Sequence, residues 1–119
     1  MAEIIHLDKD TADIIKTHLP NKIVCNKLAY FYSIFSDSTR IKIITTLLIS
    51  ELCVNDLSTI LNLNQTTVSH QLKILKSNGV VSIRKTNKFT FYKVSDKFAK
   101  TIMNNGFDYI IYNSIKKVV

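Results

Sequence analysis

Apolar residues recur at helical spacing along most of this chain. Residues 1–20 are largely polar with scattered isoleucines and predict an N-terminal arm or weak helix that a proline ends. One apolar helical face follows over residues 21–35, and a second helix begins after Asp37, whose carboxylate can accept backbone N–H groups of the first turn. A short third helix is predicted over residues 54–61. We therefore expect residues 21–119 to form one mainly helical domain.

The segment from residue 65 to 77 combines a narrow apolar stripe with a polar remaining surface. Its stripe consists of Val68, Leu72 and Leu75. The rest of this predicted helix carries hydroxyls, amides, an imidazole and two lysines, the groups with which proteins contact base edges and phosphates in DNA. Asn64 is suited to cap the helix, and Asn78-Gly79 to end it in a left-handed conformation.

Two segments rich in β-branched and aromatic residues come next. They cover residues 80–85 and 89–94 and are separated by three polar residues, which predicts a β-hairpin. The helical pattern returns over about residues 96–117. A short helix, a turn, a longer helix and a basic hairpin make a winged helix-turn-helix, so the expected fold is mainly α with a small β-hairpin wing.

The last predicted helix is more apolar than a surface helix of a small domain should be. This pattern indicates an α-helical dimer interface built from residues 21–35 and 96–117, although packing within a single chain would explain it equally well. The predicted interface residues are Leu28, Phe31, Phe98, Ile102, Met103, Ile110 and Ile111.

Basic residues are concentrated in one part of the chain. The 119 residues have a net charge of +7, and residues 65–100 alone contain eight lysines and arginines against a single acidic residue, Asp96. One basic stretch of this kind is typical of a surface that binds nucleic acid, whereas a solvated lysine-rich surface is the alternative. The predicted partner is therefore a polyanion.

Composition also limits the compartment and the class of protein. We find no apolar run near the roughly 18 residues that cross a membrane, and the acidic N-terminal residues do not fit a signal peptide, so a cytoplasmic protein with reduced thiols is expected. The sequence shows no nucleophile paired with a base. Its two glycines leave little material for a phosphate-binding loop, so we do not expect an enzyme.

Four blocks between residues 28 and 95 resemble the ArsR/SmtB family of bacterial winged-helix repressors. Phe-Ser-Asp-Ser-Thr-Arg-Ile-Lys-Ile at residues 35–43 is similar to the family's Leu-Ser-Asp-Pro-Thr-Arg-Leu-Arg-Ile, and Glu-Leu-Cys-Val-Asn-Asp-Leu at 51–57 to its Glu-Leu-Cys-Val-Cys-Asp-Leu box. Residues 67–75 resemble its recognition helix. Gly79-Val80-Val81 and the hairpin that ends at Phe91-Tyr92 resemble its wing. The resemblance implies a homodimer that blocks promoters and releases DNA when a metal, metalloid or reactive sulfur species binds.

The DNA contacts expected of such a dimer come from two regions. The recognition helices would enter successive major grooves about 34 Å apart, where Gln71 could bond adenine through its amide. The other expected contacts on this helix are Gln65, Thr66, Thr67, Ser69, His70, Lys73 and Lys76, and His70 has the alternative of a plain surface histidine. On the wing, the expected contacts are Arg84, Lys85 and Lys88.

The sensing site remains open at the level of sequence. Cys53 precedes the helix at 54–61, where backbone N–H groups favour a thiolate, but Asn55 replaces the second cysteine of the family's metal box. Cys25 could complete a pair with Cys53, and His6 or His18 could add a ligand. The cysteines could therefore bind a soft metal or an arsenical, form a thiol switch, or be inert. The family's zinc-type site on the last helix looks absent, because no histidine follows His70.

Two other functions fit parts of this pattern. A winged helix can serve as a protein-interaction module, but an interaction surface should show apolar anchors, which the helix at 65–77 lacks on its polar side. The chain could also be a constitutive DNA-binding regulator without an inducer site. Salt-sensitive binding to duplex DNA separates a DNA-binding regulator from an interaction module.

Overall fold

The computed structural model describes residues 6–118, which form six helices and two strands. The chain divides into two compact units, Met1–Ser33 and Ile34–Val119. The first unit contains α1 (Lys9–His18) and α2 (Lys22–Ser33). Asp8 caps α1 by accepting the backbone N–H and the hydroxyl of Thr11, and these hydrogen bonds lower the pKa of the Asp8 carboxyl.

The second unit is a winged helix-turn-helix, which confirms the predicted fold. In chain order it consists of α3 (Ser38–Ile49), α4 (Val54–Leu61), α5 (Gln65–Ser77), β1 (Val81–Lys85), β2 (Thr90–Val94) and α6 (Lys97–Val118). The helices predicted at 54–61 and 65–77 have the predicted bounds. Each strand of the hairpin begins one residue later than predicted.

Local capping chemistry sets the ends of α5. The Asn64 side chain accepts the backbone N–H of Thr67 at 2.7 Å, as expected of an N-cap. At the other end Gly79 has φ +74°, and the N–H groups of Gly79 and Val80 donate to the carbonyls of Lys76 and Leu75. This is a Schellman motif, which a glycine accommodates without steric cost and which turns the chain directly into β1.

The wing is attached to the helix-turn-helix by main-chain hydrogen bonds. Strands β1 and β2 pair antiparallel, with Val81 opposite Val94 and Lys85 opposite Thr90. Leu52, just before α4, exchanges two backbone hydrogen bonds with Tyr92 of β2, at 3.2 and 2.8 Å. The short extended piece between α3 and α4 therefore acts as a third strand position beside the hairpin.

One core joins the helices of the second unit to the wing. The apolar stripe of α5 packs into it, and Leu72 is only 1% exposed. Met103 of α6 also belongs to this core at 5% exposed, so this predicted interface residue packs against its own chain. The largest fully buried side chains among the described residues are Ile43, Ile44, Leu57, Val68, Leu72, Leu75 and Val80.

Much of the apolar surface of α6 remains outside this core. Ile110 and Ile111 are 62% and 56% exposed, and Phe98 near the start of the helix is also exposed. Of the other predicted interface residues, Leu28 is exposed, whereas Phe31 and Ile102 are half-buried. Within residues 6–118, none of the helices is long and apolar enough to span a membrane.

Candidate nucleic-acid interface

The polar side of α5 is open to solvent opposite its buried stripe. Thr67 and Gln71 are half-buried at the edge of this surface. The exposed side chains are those of Gln65, Thr66, Ser69, His70, Lys73 and Lys76. This helix therefore presents hydroxyl, amide, imidazole and ammonium groups together, while its apolar residues fix it to the core.

Two side-chain contacts restrict the polar groups of α5. Gln65 Nε2 donates to Asn55 Oδ1 at 2.8 Å, which links the first turn of α5 to the first turn of α4. Gln71 Oε1 accepts a hydrogen bond from Arg40 Nη1 of α3 at 3.2 Å. The amide oxygen of Gln71 therefore already accepts a hydrogen bond within the protein. The adenine contact expected for Gln71 would use this same oxygen.

The wing carries its basic residues in two different environments. Lys85 and Lys88 are exposed. Arg84 donates from Nε and Nη2 to Glu51 Oε2, at 3.2 and 3.0 Å, and its guanidinium lies 4.7 Å from the Phe91 ring centroid. The ion pair with Glu51 and the contact with Phe91 help to hold Arg84 against the wing, whereas the ammonium groups of Lys85 and Lys88 are exposed.

Cys53 lies half-buried at the start of α4. Although it is the N-cap residue, its sulfur makes no capping hydrogen bond, and within the described residues its partner is Asp56 Oδ2 at 3.3 Å. This differs from the expected interaction with backbone N–H groups, because the thiol instead donates a hydrogen bond to the first-turn carboxylate. An open cleft of about 550 Å³ adjoins Cys53 and is also lined by Gln65, Lys88 and Phe91.

The other sulfur and imidazole ligands considered from sequence lie in the first unit. Cys25 of α2 is exposed and its thiol donates to the Pro20 carbonyl at 3.6 Å. His18 Nδ1 lies 2.8 Å from the Ile14 carbonyl, and His6 is exposed. Across residues 6–118, no three histidine, cysteine or carboxylate side chains are grouped so that they could hold a metal ion. Cys53 and Asp56 supply one soft and one hard donor, and Asn55 Oδ1 is occupied by Gln65, so these residues do not complete a soft-metal site.

The sequence profile of the family described as "Bacterial regulatory protein, arsR family" matches residues 37–82, from the cap of α3 into β1. A cadmium resistance transcriptional regulatory protein CadC homolog from Staphylococcus aureus is 32% identical over 108 residues, which cover 90% of this chain and 88% of that protein. The chain belongs to the ArsR family. This membership confirms the resemblance found in the four sequence blocks. Proteins of this family are DNA-binding transcriptional repressors rather than enzymes.

Solved structures agree with the fold of this ArsR-family protein. Reduced HlyU from Vibrio cholerae has a TM-score of 0.63 and 29% identity, covering 70% of this chain and 87% of HlyU. The AntR antimony-specific transcriptional repressor has a TM-score of 0.72 at 20% identity, covering 81% of this chain and 87% of AntR, a likeness that shows the fold alone.

Sequence reasoning missed four residues that organise this ArsR-family interface. Three of them have partners that are distant along the chain or on the next helix, and the fourth has its partner three residues away: Arg40 contacts Gln71, Glu51 contacts Arg84, Asn55 contacts Gln65, and Asp56 contacts Cys53. Three of these pairs are tertiary contacts between elements, which hydrophobic periodicity does not encode. The fourth follows from helix geometry, because a carboxylate three residues after an N-cap position lies beside the N-cap side chain.

Proposed function

We propose that this protein is a homodimeric, sequence-specific repressor that binds an operator in double-stranded DNA and is released by an inducer acting at Cys53. The observation that supports operator binding is the polar, exposed side of α5, held by a buried apolar stripe beside a basic wing. In this proposal α5 enters the major groove. Gln71 and Ser69 contact base edges, and Gln65, Thr66 and Thr67 at the helix start contact a phosphate or base, with His70 beside them.

The lysines of α5 and of the wing supply the sequence-independent part of the affinity. Lys73 and Lys76 follow the phosphate backbone beside the major groove, and Lys85 and Lys88 reach the adjacent minor groove or its phosphates. Arg84 contributes less to the affinity than these lysines, because its guanidinium already forms an ion pair with Glu51.

Substitution of Lys76 by alanine tests this assignment. We expect Lys76→Ala to weaken binding to every duplex by a similar factor and to lower the slope of log affinity against log salt by about 1.8, because the proposed dimer loses two lysine–phosphate contacts and each such contact releases condensed counterions worth about 0.9 in slope. Fluorescence anisotropy on duplex DNA from the protein's own upstream region, titrated with salt, measures both quantities.

Lys116→Ala is the matched control, since it removes the same charge from an exposed lysine near the end of α6. We expect that variant to keep the wild-type slope. Duplex binding that is insensitive to salt, or absent at low salt, would contradict operator binding and favour a protein-interaction module.

The exposed apolar side of α6 supports the homodimer. Ile110 and Ile111 lie outside the core, and a symmetric dimer would cover them with the same residues of a second copy. The helix α2, with Leu28 and Phe31, is the second element proposed for this interface. A dimer would place two recognition helices for the two halves of one operator.

The position of Cys53 supports release by a thiol-reactive inducer. Cys53 lines the same open cleft as Gln65 and Lys88, two of the proposed DNA contacts. A group added to this sulfur would displace the hydrogen bond to Asp56 and occupy space beside those contacts. A soft metal would need further ligands beyond Cys53 and Asp56, so we propose covalent modification, or a disulfide with Cys25, ahead of metal binding.

Serine substitutions distinguish the two cysteines. We expect a thiol oxidant or polysulfide to weaken operator binding of the wild-type protein about tenfold or more, the usual range of allosteric coupling, and Cys53→Ser to abolish this response. Cys25→Ser is the matched control, because it removes an exposed thiol from α2 and leaves Cys53 in place. If Cys53 alone is modified, this variant should respond like the wild type.

A response that persists in Cys53→Ser would contradict sensing at this residue. Loss of the response in both single variants would assign the switch to a disulfide. A parallel titration with cadmium and arsenite tests whether a soft metal acts instead, and an affinity unchanged by every addition would make the protein a constitutive regulator.

A further inference from the structure

Arg40 is fixed at the first turn of α3 by its own main chain and by its side chain. Its backbone N–H donates to Asp37 Oδ2 at 2.9 Å, and its Nε donates to the Ile34 carbonyl at 2.9 Å. The side chain is half-buried, so the guanidinium has a defined position rather than a solvated range of rotamers. From this position Nη1 reaches Gln71 Oε1 on α5.

Contact with an arginine determines which way the Gln71 amide faces. A guanidinium carries only donors, so the amide oxygen must face Arg40, and the opposite orientation would place two N–H groups against each other. The oxygen and nitrogen of a planar side-chain amide diverge from its carbon by roughly 120°, so only one of them can face Arg40. Oε1 is turned toward α3, which leaves the Nε2 donors of Gln71 for a ligand of α5.

We infer that Arg40 is a specificity-determining positioning residue, which makes Gln71 favour guanine over adenine at its base pair; this inference rests on the proposed operator binding by α5. Guanine offers two acceptors in the major groove, N7 and O6, to an amide NH₂ group. Adenine offers N7 beside the N6 donor, and its two-bond pairing with glutamine needs the amide oxygen to face the base, whereas Arg40 holds that oxygen toward α3. In this inference Gln71 contacts guanine instead of the adenine expected from the sequence.

Base-pair substitution in the operator measures this preference directly. Each base pair of one half-site is replaced in turn, and binding is measured by anisotropy for wild type, Gln71→Ala, Arg40→Lys and the double variant. We expect the wild type to prefer guanine over adenine by about tenfold at one position. Gln71→Ala should abolish that preference.

Arg40→Lys keeps the positive charge but cannot hold Ile34 and Gln71 with one planar group. We expect it to reduce the guanine preference at the same position to about threefold or less, because the released amide can turn to bond adenine. In the Gln71→Ala background, Arg40→Lys should cause no further change in preference. An equal loss of affinity for every duplex with an unchanged preference would overturn the inference, because it would make Arg40 a phosphate contact or a structural residue.

A change in the DNA provides a test that does not depend on a variant's folding. With unmodified protein, 7-deazaguanine at the base pair that Gln71 contacts removes the N7 acceptor, and we expect it to weaken binding about tenfold. Binding to that duplex that is not weakened would overturn the guanine assignment, and so would a Gln71→Ala variant that keeps every wild-type base preference. Either result would leave the proposed salt-sensitive operator binding unaffected. Absence of salt-sensitive duplex binding would instead mean that the proposed function has failed.

Discussion

Replacement of Ile111 by glutamate is expected to convert the dimer to a monomer and to weaken operator binding by about a hundredfold, because a monomer engages only one half-site. Ile111 is 56% exposed on α6, so the carboxylate costs little in a single chain. In a symmetric dimer the substitution would appear twice, and two unpaired carboxylates would be desolvated in the interface. Analytical ultracentrifugation measures the mass, and anisotropy on the full operator measures the affinity.

Thr101→Glu is the control for this experiment. Thr101 is exposed on the same helix and lies roughly 60–180° around the axis from Phe98, Ile102, Ile110 and Ile111. It introduces the same charge, and we expect a dimer with nearly wild-type affinity. A dimeric Ile111→Glu protein would show that this side of α6 is not the interface, and a monomeric wild-type protein would contradict the homodimer altogether.

Replacement of Leu72 by alanine is expected to lower the free energy of unfolding by about 2–5 kcal/mol, because it leaves a cavity where α5 meets the core. Leu72 is 1% exposed and is one of the largest fully buried side chains among the described residues. A loss of this size is a substantial part of the roughly 5–15 kcal/mol by which a domain is stable. Urea denaturation followed by circular dichroism, at one fixed protein concentration, measures it.

Lys73→Ala provides the comparison at the neighbouring position. Its side chain is exposed, so we expect a change within about 0.5 kcal/mol in stability but a clear loss of DNA affinity. Leu72→Ala and Lys73→Ala should therefore separate the two sides of α5, one serving the core and the other the ligand. Equal effects of the two substitutions on unfolding would contradict the buried stripe.

Local sequence signals predicted the elements that carry the interface. The period of apolar residues gave the bounds of α4 and α5, the Asn64 side chain gave the start of α5, and Gly79 gave its end. These features depend on residues within one or two turns of each other. The winged helix-turn-helix could therefore be predicted with little error in its bounds.

Contacts between elements could not be predicted in the same way. The hydrogen bond from Arg40 to Gln71 and the ion pair of Arg84 with Glu51 join residues far apart in the chain, and no local period records them. Cys53 shows the same limit at short range, since its position predicted an interaction with backbone N–H groups, whereas Asp56 provides the acceptor. Such polar pairings change the chemistry of a site without changing the fold that carries it.

The paired main-chain groups of Leu52 and Tyr92 also bear on how the domain is made. A two-stranded hairpin alone is only marginally stable in water, and the wing gains its third strand position from a segment that precedes α4. During synthesis α1 to α5 emerge before the wing, and the ladder closes only after the chain has been extended through β2. A nascent chain that ends within the hairpin would therefore contain α5 without a complete wing, so the proposed DNA-binding surface is complete only after β2 has been synthesised.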